Sequence, residues 1–229
     1  MTTSIEKIIG QEEIPSCVVR VRNLVGRWMQ LNHLEKWEDI IAPYEYNEVD
    51  DSCSFHVCNG ATKIVLVPND WNYVIKIPYI GDETYDSFNA FHEEDYCAQE
   101  AYYYSDAEVC GCAQFFVPMV HLITVNGVPV YIQSKISAIR TAKPSGLDAF
   151  SYASIRNSEY LDPDVGGRLM KYYTSKEIEI FLAFIKRHRI NDLESCRNGE
   201  YVQSFGRYVF WDYSGYHEIE MGYDDEADF

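Results

Sequence analysis

The stretch TKIVLVPNDWNYVIKIP, residues 62–78, contains two β-branched runs separated by turn-forming residues. The runs TKIVLV (62–67) and YVIKIP (73–78) have the composition of buried strands, and the Pro-Asn-Asp cluster between them favours a turn. Lys76 lies inside the second run, where a charged side chain must either reach solvent or meet an anionic group. The stretch therefore predicts a β-hairpin that carries one lysine, and a lone lysine of this kind usually faces solvent.

The residues around this hairpin alternate between helical and strand patterns. Apolar residues recur every three or four positions in Val18–Trp37, which predicts an amphipathic helix, and Glu93–Ala107 is a second candidate helix. Asn126-Gly127 separates two apolar runs and favours a tight turn, because both residues accept positive φ. The order from residue 62 onwards is therefore strand, strand, helix, strand, strand. The helical positions of the first segment are Val21, Leu24, Val25, Trp28 and Leu31.

The C-terminal part contains one clear helix and a short hairpin. Thr174 and Glu177 fit a capping box at the start of TSKEIEIFLAFIKRH. A polar loop follows, and EYVQSFGRYVFW (200–211) then predicts a hairpin that turns at Phe205-Gly206. Asp212 ends its second strand, and on its own it would be a turn cap. The stripe expected to be buried on the helix consists of Ile178, Phe181, Leu182 and Ile185.

Composition restricts the class of protein. The chain has 229 residues, with 36 acidic and 19 basic side chains and a net charge of −17. Such an acidic surface repels nucleic acids and anionic membranes, so we expect no direct binding to either. No signal peptide or apolar spanning run is visible. Seven cysteines without paired CxxC spacing predict reduced thiols in a cytoplasmic protein, with neither disulfides nor zinc.

The charged residues follow a recognisable order. A glycine-containing turn at Gly60 is followed by Lys76 in a predicted strand and by Glu100 in a predicted helix. The loop NDLESCRN with Asp192 comes next, and the sequence DYSG, which begins at Asp212, ends the series. This order resembles the protein-kinase signature set, with VIKIP in place of V-A-I-K, NDLESCRN in place of the catalytic loop, and DYSG in place of D-F-G. The resemblance is degenerate and truncated, and it extends more loosely to small kinase-like proteins of bacteriophages and bacteria.

The resemblance implies a fold and a division of the chain. The implied fold is α+β and two-lobed, with a five-stranded antiparallel sheet in the N-lobe and a reduced helical C-lobe. Residues 1–50 would be a helical N-terminal extension, 51–136 the N-lobe with one helix, and 137–229 the C-lobe with an acidic tail. The implied ligands are ATP and Mg²⁺, bound between the lobes, and a protein partner is expected in addition to nucleotide.

The resemblance also implies roles for individual residues. Lys76 would pair the α and β phosphates, and Glu100 would hold that lysine in place. Asp192 would orient an acceptor hydroxyl, while Asp212 and Asn198 would bind Mg²⁺. The turn NGATK, residues 59–63, would cover the phosphates. Its lysine, Lys63, is a possible phosphate contact but is expected to face solvent. The remaining nucleotide contacts would be Asn59, Gly60, Ala61, Thr62, Lys63, Gln133 and Lys135.

Departures from the pattern leave three functions open. The phosphate turn has one glycine instead of three, and Ile-Asn-Asp replaces His-Arg-Asp before the loop. Arg197 takes the position expected for the metal-binding asparagine, and Asn198 follows one residue later. An active minimal kinase requires an intact Asp192–Asn198 geometry, whereas Arg197 at the metal position favours a catalytically weak or dead binding module. A solvent-exposed Lys76 far from Asp212 would instead indicate an unrelated acidic interaction protein that inhibits or mimics a partner.

Overall fold

The computed structural model describes residues 3–41, 46–49, 54–60, 62–79, 95–136, 138–139, 163–190, 193 and 198–213. Its helices are α1 (Ser4–Ile9), α2 (Ile14–Leu31), α3 (Tyr96–Cys110), α4 (Pro163–Leu169) and α5 (Ser175–His188). Its strands are β1 (Phe55–Asn59), β2 (Lys63–Pro68), β3 (Tyr73–Pro78), β4 (Met119–Val125), β5 (Val128–Ser134), β6 (Ala138–Ile139), β7 (Gly199–Val202) and β8 (Arg207–Phe210). The protein is therefore α+β, as predicted.

The larger sheet contains five antiparallel strands in the order β1-β2-β3-β5-β4. Both predicted hairpins are present, with β2 joined to β3 and β4 joined to β5. Asn126 and Gly127 have φ values of 50° and 82°, so the turn uses the positive φ that this dipeptide tolerates. The five-stranded antiparallel sheet expected from the sequence is confirmed.

Strand alternation gives this sheet two chemically different faces. Val65 lies opposite Lys76 in the β2–β3 pair, and Val74 lies opposite Gln133 in the β3–β5 pair. Because side chains alternate along a strand and directly paired residues share a face, Lys63, Lys76 and Gln133 all lie on one face. The other face packs against α1 and α2 in a single apolar cluster. The sheet residues of that cluster include Ile64, Leu66, Ile75, Ile77, Val130 and Ile132.

Helix α2 begins earlier and ends earlier than the sequence pattern predicted. It runs from Ile14 to Leu31, whereas the prediction extended to Trp37. The side-chain amide of Asn32 donates to the carbonyl of Trp28, which satisfies a helix-end acceptor, and His33 then adopts a positive φ of 56°. Both features end the helix before the apolar pattern does. The buried residues are Cys17, Val21, Val25, Trp28 and Met29, while Leu24 and Leu31 are half-buried.

Helices α3 and α5 both begin with a side-chain cap, and the sequence indicated the cap of α5. The Asp95 side chain accepts from the backbone of Ala98 at the start of α3, which lies three residues later than predicted. Thr174 and Glu177 form the predicted capping box of α5. The buried stripe of α5 contains Phe184 instead of Leu182, which is half-buried at the edge of the cluster. The prediction for Leu182 was therefore wrong. Counted from Ile178, the helix turns Phe184, at position i+6, further towards the core than Leu182, at position i+4.

A second apolar cluster joins the helices to the short β-hairpin. It contains residues of α3, α4, α5 and β8, with Phe115 and Phe116 from the turn between α3 and β4. Strands β7 and β8 pair antiparallel as predicted, and β6 pairs with β7. The backbone N–H of Val117 donates to the carbonyl of Phe210, so β8 is fixed beside the residues that lead into β4. Within the described residues, no helix is both long and apolar enough to cross a membrane.

Candidate functional site

A buried carboxylate, Glu100, lies at the centre of a cluster of four charged side chains. The Lys63 ammonium donates to its Oε1 at 2.8 Å, and the Lys76 ammonium donates to its Oε2 at 2.9 Å. The backbone N–H of Tyr213 donates to Oε1 at 3.1 Å. Glu100 has no exposed side-chain surface, and each lysine side chain is 5% exposed. The carboxylate is buried but fully partnered, which is the condition under which a charge tolerates burial.

Asp212 completes this ion cluster of Lys63, Lys76, Glu100 and Asp212. Its Oδ1 accepts from the Lys63 ammonium at 2.8 Å, and its side chain is 42% exposed. Burial by itself raises the pKa of Asp212, but attraction to Lys63 and Lys76 prevails and lowers that pKa well below the usual aspartate range. Burial likewise lowers the pKa of Lys63, but Glu100 and Asp212 raise it above that of an ordinary lysine. Lys63 and Asp212 are therefore both charged at neutral pH.

The segment from Trp211 to Tyr213 is fastened to the sheet by hydrogen bonds from side chains. The Trp211 carbonyl accepts from the Lys76 ammonium at 2.8 Å and from the Gln133 amide at 3.0 Å. The Tyr213 hydroxyl donates to the carbonyl of Val117 at 3.0 Å, and the Tyr213 side chain is fully buried. These bonds hold the end of β8 against the polar face of the larger sheet and so fix the position of Asp212.

Helix α3 places Glu100 in the cluster because Glu100 belongs to the buried stripe of the helix. Cys97, Tyr104 and Ala107 lie three or more residues away on the same stripe and are also buried. The Tyr131 hydroxyl of β5 donates to the Asp95 carboxylate at the start of the helix, at 2.5 Å. The beginning of α3 is therefore fixed to the sheet near the glutamate. A glutamate at a core position of a helix is the sequence signal for this arrangement.

These contacts bring Lys76, Glu100 and Asp212 together, as the resemblance implied, while their roles in nucleotide and metal binding stay predictions. Lys76 is buried, which is the opposite of the exposed lysine expected for an unrelated acidic protein. Lys63 was expected to face solvent, and that expectation is wrong, because its residue exposure is 4% and it binds two carboxylates. Gln133 also reaches the site, through the Trp211 carbonyl.

Other predicted nucleotide contacts lie around the β1–β2 turn or away from the cluster. The Asn59 side chain accepts from the Tyr79 hydroxyl and donates to Asn47, so its amide supports the fold. The Gly60 N–H donates to the Lys63 carbonyl within the turn, and Thr62 is buried. Lys135 lies elsewhere: its ammonium donates to the carbonyls of Pro68 and Asn69, at the end of β2 opposite Lys63.

Two predicted site residues, Ala61 and Asp192, lie outside the described residues, as does Arg197. Asn198 is described, and its backbone carbonyl accepts from the N–H groups of Trp211 and Asp212 at 2.9 and 3.4 Å. Asn198 therefore lies beside Asp212 in the folded chain. Its backbone contact draws the start of β7 to the end of β8, next to the ion cluster.

The ion cluster contains two carboxylates, Glu100 and Asp212, that differ in what they offer to Mg²⁺. Mg²⁺ is usually held by one or two carboxylates together with phosphate oxygens and water, not by a complete protein cage. Asp212 is the partly exposed carboxylate of the cluster, whereas both oxygens of Glu100 are occupied and buried. Over the part of the chain that the structure describes, no group of three or more histidine, cysteine, aspartate or glutamate side chains could hold a metal by itself. Of the two carboxylates in the cluster, Asp212 is therefore the one with side-chain surface open to a ligand.

No protein-family model, no curated protein and no solved structure matches this chain. The site is accordingly interpreted from its own geometry. A separate pocket of about 280 Å³ lies between α2 and the start of β1, and it contains none of the predicted site residues. The residues that line it are Arg20, Asn23, Leu24, Arg27, Ser54, Phe55 and Trp71.

Sequence reasoning missed the contribution of Tyr213 and of the Trp211 carbonyl. The sequence indicated that Asp212 ends a strand, but it did not show that both neighbours of Asp212 would be hydrogen-bonded to α3 and the sheet. The apolar run YVFW before Asp212 was the available signal, because a buried strand end requires partners for its backbone groups.

Proposed function

We propose that this chain is a kinase-like nucleotide-binding protein that transfers phosphate from Mg-ATP to a protein or small-molecule acceptor in the cytoplasm. The observation that carries the proposal is the buried Lys76–Glu100 pair joined to Asp212 at the end of β8. A strand lysine held by a helix glutamate, with an aspartate supplied by a later hairpin, is the arrangement that phosphoryl transfer needs. The proposed fold around it is two-lobed, with the nucleotide between the lobes.

The order of the elements supports the same proposal. In the sequence, helix α5 is followed by Asp192, then by the β7–β8 hairpin, and then by Asp212. In the proposal Lys76 contacts the phosphates, and Glu100 fixes the direction of its ammonium. Mg²⁺ would be held by Asp212 with Asn198 and would neutralise charge on the phosphate oxygens. In the proposal the β1–β2 turn would cover the phosphates with its backbone, since the Asn59 side chain is engaged with Tyr79 and Asn47 and Thr62 is buried.

A second candidate function is a nucleotide-binding module without turnover. The observation that favours it is the Lys63–Asp212 ion pair, because an ammonium already lies 2.8 Å from the carboxylate that would hold the metal. In this alternative the chain binds nucleotide and a protein partner but transfers no phosphate. The two candidates share the same site and differ only in whether Asp212 leaves the Lys63 ammonium and binds the metal.

A thermal-shift titration with ATP, with and without Mg²⁺, tests the shared part of the proposal. A ligand present at 100 times its Kd adds about 2.7 kcal/mol to the free energy of unfolding. For a chain of this length that gain corresponds to an increase in Tm of about 5–10 °C. We expect such an increase for the wild type and its loss in Lys76→Met. A wild-type Tm that does not respond to any ATP concentration contradicts the proposal.

Asp212→Asn separates the metal-dependent part from the rest. This variant loses the ion pair with Lys63, so we expect the free protein to become less stable by about 0.5–1 kcal/mol, a partly exposed pair being worth little. The Mg²⁺-dependent part of the ATP shift should disappear. Asp70→Asn, an exposed acid in the β2–β3 turn, is the matched control and should keep the full shift. ADP release from Mg-ATP then distinguishes the active kinase from the binding module.

A further inference from the structure

The ion cluster contains one more lysine than the proposed nucleotide site requires. Glu100 is already paired with Lys76, and Lys76 is also fixed by the Trp211 carbonyl. Lys63 binds the same glutamate and, in addition, Asp212. Among the described residues, Lys63 is the cation that donates directly to the Asp212 carboxylate, so its role differs from that of Lys76.

We propose that Lys63 is a displaceable counter-ion, which keeps Asp212 from binding a divalent cation until the phosphate groups of a nucleotide draw the Lys63 ammonium away. This inference rests on the proposed function and names how its site is regulated. Lys63 would thereby couple nucleotide binding to metal binding, although no bond is made or broken.

The distances show why Lys63 and a metal compete for Asp212. The Lys63 ammonium lies 2.8 Å from Oδ1, and Mg²⁺ binds carboxylate oxygen at about 2.0–2.1 Å. A metal on the same carboxylate would therefore lie within about 5 Å of the ammonium, which belongs to a buried side chain. Like charges at that separation repel strongly, so occupancy of Asp212 by one cation disfavours the other.

The positions of the two lysines indicate which one can move. Lys76 lies in the middle of β3, and its ammonium is bound by both Glu100 and the Trp211 carbonyl. Lys63 is the first residue of β2, directly after the turn that would cover the phosphates. Its flexible four-carbon side chain can exchange a carboxylate for a phosphate without movement of the sheet. Glu100 keeps Lys76 when Lys63 leaves, so no buried carboxylate becomes unpaired.

Metal binding without nucleotide tests the inference directly. We choose Mn²⁺ as the probe, because the electron paramagnetic resonance signal of free Mn²⁺ falls as the ion is bound. In Lys63→Met we expect one Mn²⁺ site at least tenfold tighter than any site of the wild type. The double variant Lys63→Met/Asp212→Asn should lose this gain.

The matched control is Lys7→Met, since Lys7 also pairs with a carboxylate, Glu108, but on the outer side of α3. The Lys7→Met variant removes the ion pair of Glu108 and leaves the ion cluster unchanged. It should therefore bind Mn²⁺ as the wild type does. Circular dichroism checks that each variant is folded, and Lys63→Gln, which keeps a polar side chain, replaces Lys63→Met if the latter is not. A folded Lys63 variant with wild-type Mn²⁺ affinity overturns the inference, as does a gain that persists in the double variant.

A second measurement separates this inference from the proposed function. Metal-free ATP should raise the Tm of the wild type, and the rise should be smaller in Lys63→Met, which lacks one phosphate contact. If no variant responds to ATP, the proposed function fails and so does the release of Lys63 by phosphate. If the wild type responds and Lys63→Met responds equally, nucleotide binding stands and the exchange of partners by Lys63 is refuted.

Discussion

Replacing Glu100 with glutamine tests whether the ion cluster is as buried as its geometry indicates. Glutamine has nearly the same shape, so Glu100→Gln removes a charge without leaving a cavity. A glutamine offers one acceptor oxygen where the carboxylate offered two, and two buried ammonium groups compete for it. Lys63 keeps Asp212 as a partner, whereas Lys76 keeps only the Trp211 carbonyl.

The expected loss follows from the exposure of these groups. Glu100 has no exposed side-chain surface and Lys76 is 5% exposed, so solvent cannot replace the missing charge. Removing one partner of a buried ion pair costs about 3–5 kcal/mol. We therefore expect Glu100→Gln to lower the free energy of unfolding by about that amount. The double variant Glu100→Gln/Lys76→Met removes the unpaired ammonium and should recover on the order of 1–3 kcal/mol.

Urea denaturation followed by circular dichroism measures both effects, provided that the slope with urea is the same in each variant. Glu108→Gln is the matched control, because Glu108 lies on the same helix and pairs with Lys7 at the surface. An exposed pair of this kind is worth about 0–1 kcal/mol. Equal losses for Glu100→Gln and Glu108→Gln, both below about 1 kcal/mol, would show that Glu100 is solvated and that the described cluster does not exist.

Three further predictions concern packing and pH, and urea denaturation checks each of them. A methyl group on Gly199 would lie 2.5 Å from an aromatic carbon of β8, so Gly199→Ala should lower the free energy of unfolding by about 1–3 kcal/mol. Gly26 lies in an open position of α2, and Gly26→Ala should raise the free energy of unfolding by about 0.5–1 kcal/mol. A change of the same sign in both variants would contradict the packing. Phe181→Ala should lower the free energy of unfolding by about 3–5 kcal/mol, and Leu182→Ala should lower it by less, because Leu182 is half-buried. A larger loss for Leu182→Ala than for Phe181→Ala would contradict the half-buried position of Leu182. The lowered pKa of Asp212 means that its stabilisation is complete above the unfolded-state pKa of about 3.9 and is lost as the pH falls through the folded-state pKa. The difference in stability between wild type and Asp212→Asn should therefore be constant from about pH 5 to pH 8 and should shrink below about pH 4; a difference that grows on acidification would contradict the ion pair.

The elements that could be predicted from the sequence are those whose signals are local. The capping box of Thr174 and Glu177 lies within four consecutive residues, and the Asn126-Gly127 turn depends on the φ preference of two. The end of α2 was placed too late because the apolar pattern continues to Trp37. The competing signal was the side chain of Asn32, which bonds the helix end and which a count of apolar positions ignores.

The candidate site could be predicted only in part, because its contacts join distant parts of the chain. Lys63 and Asp212 are 149 positions apart, and nothing near either residue specifies the other. The resemblance in residue order named Lys76, Glu100 and Asp212 for one site, but it gave Lys63 only as a phosphate contact and not as a partner of Glu100 and Asp212. The hairpin register was the missing step: with Val65 opposite Lys76, residue 63 must share the face of Lys76. The solvent-facing expectation for Lys63 treated the residue alone, without its strand.

The charge balance of the cluster explains why the second lysine matters to a chain that folds before it binds anything. Lys76, Glu100 and Asp212 alone would leave one net negative charge beside a buried glutamate, and that arrangement would need a cation for stability. Lys63 supplies the missing positive charge from within the chain, so the four groups are neutral together. In the proposed mechanism the same residue would hinder metal binding at Asp212, because it occupies the carboxylate that a metal would use. Stability of the free protein and metal affinity are thus opposed at Lys63, and a substitution that weakens the first should strengthen the second.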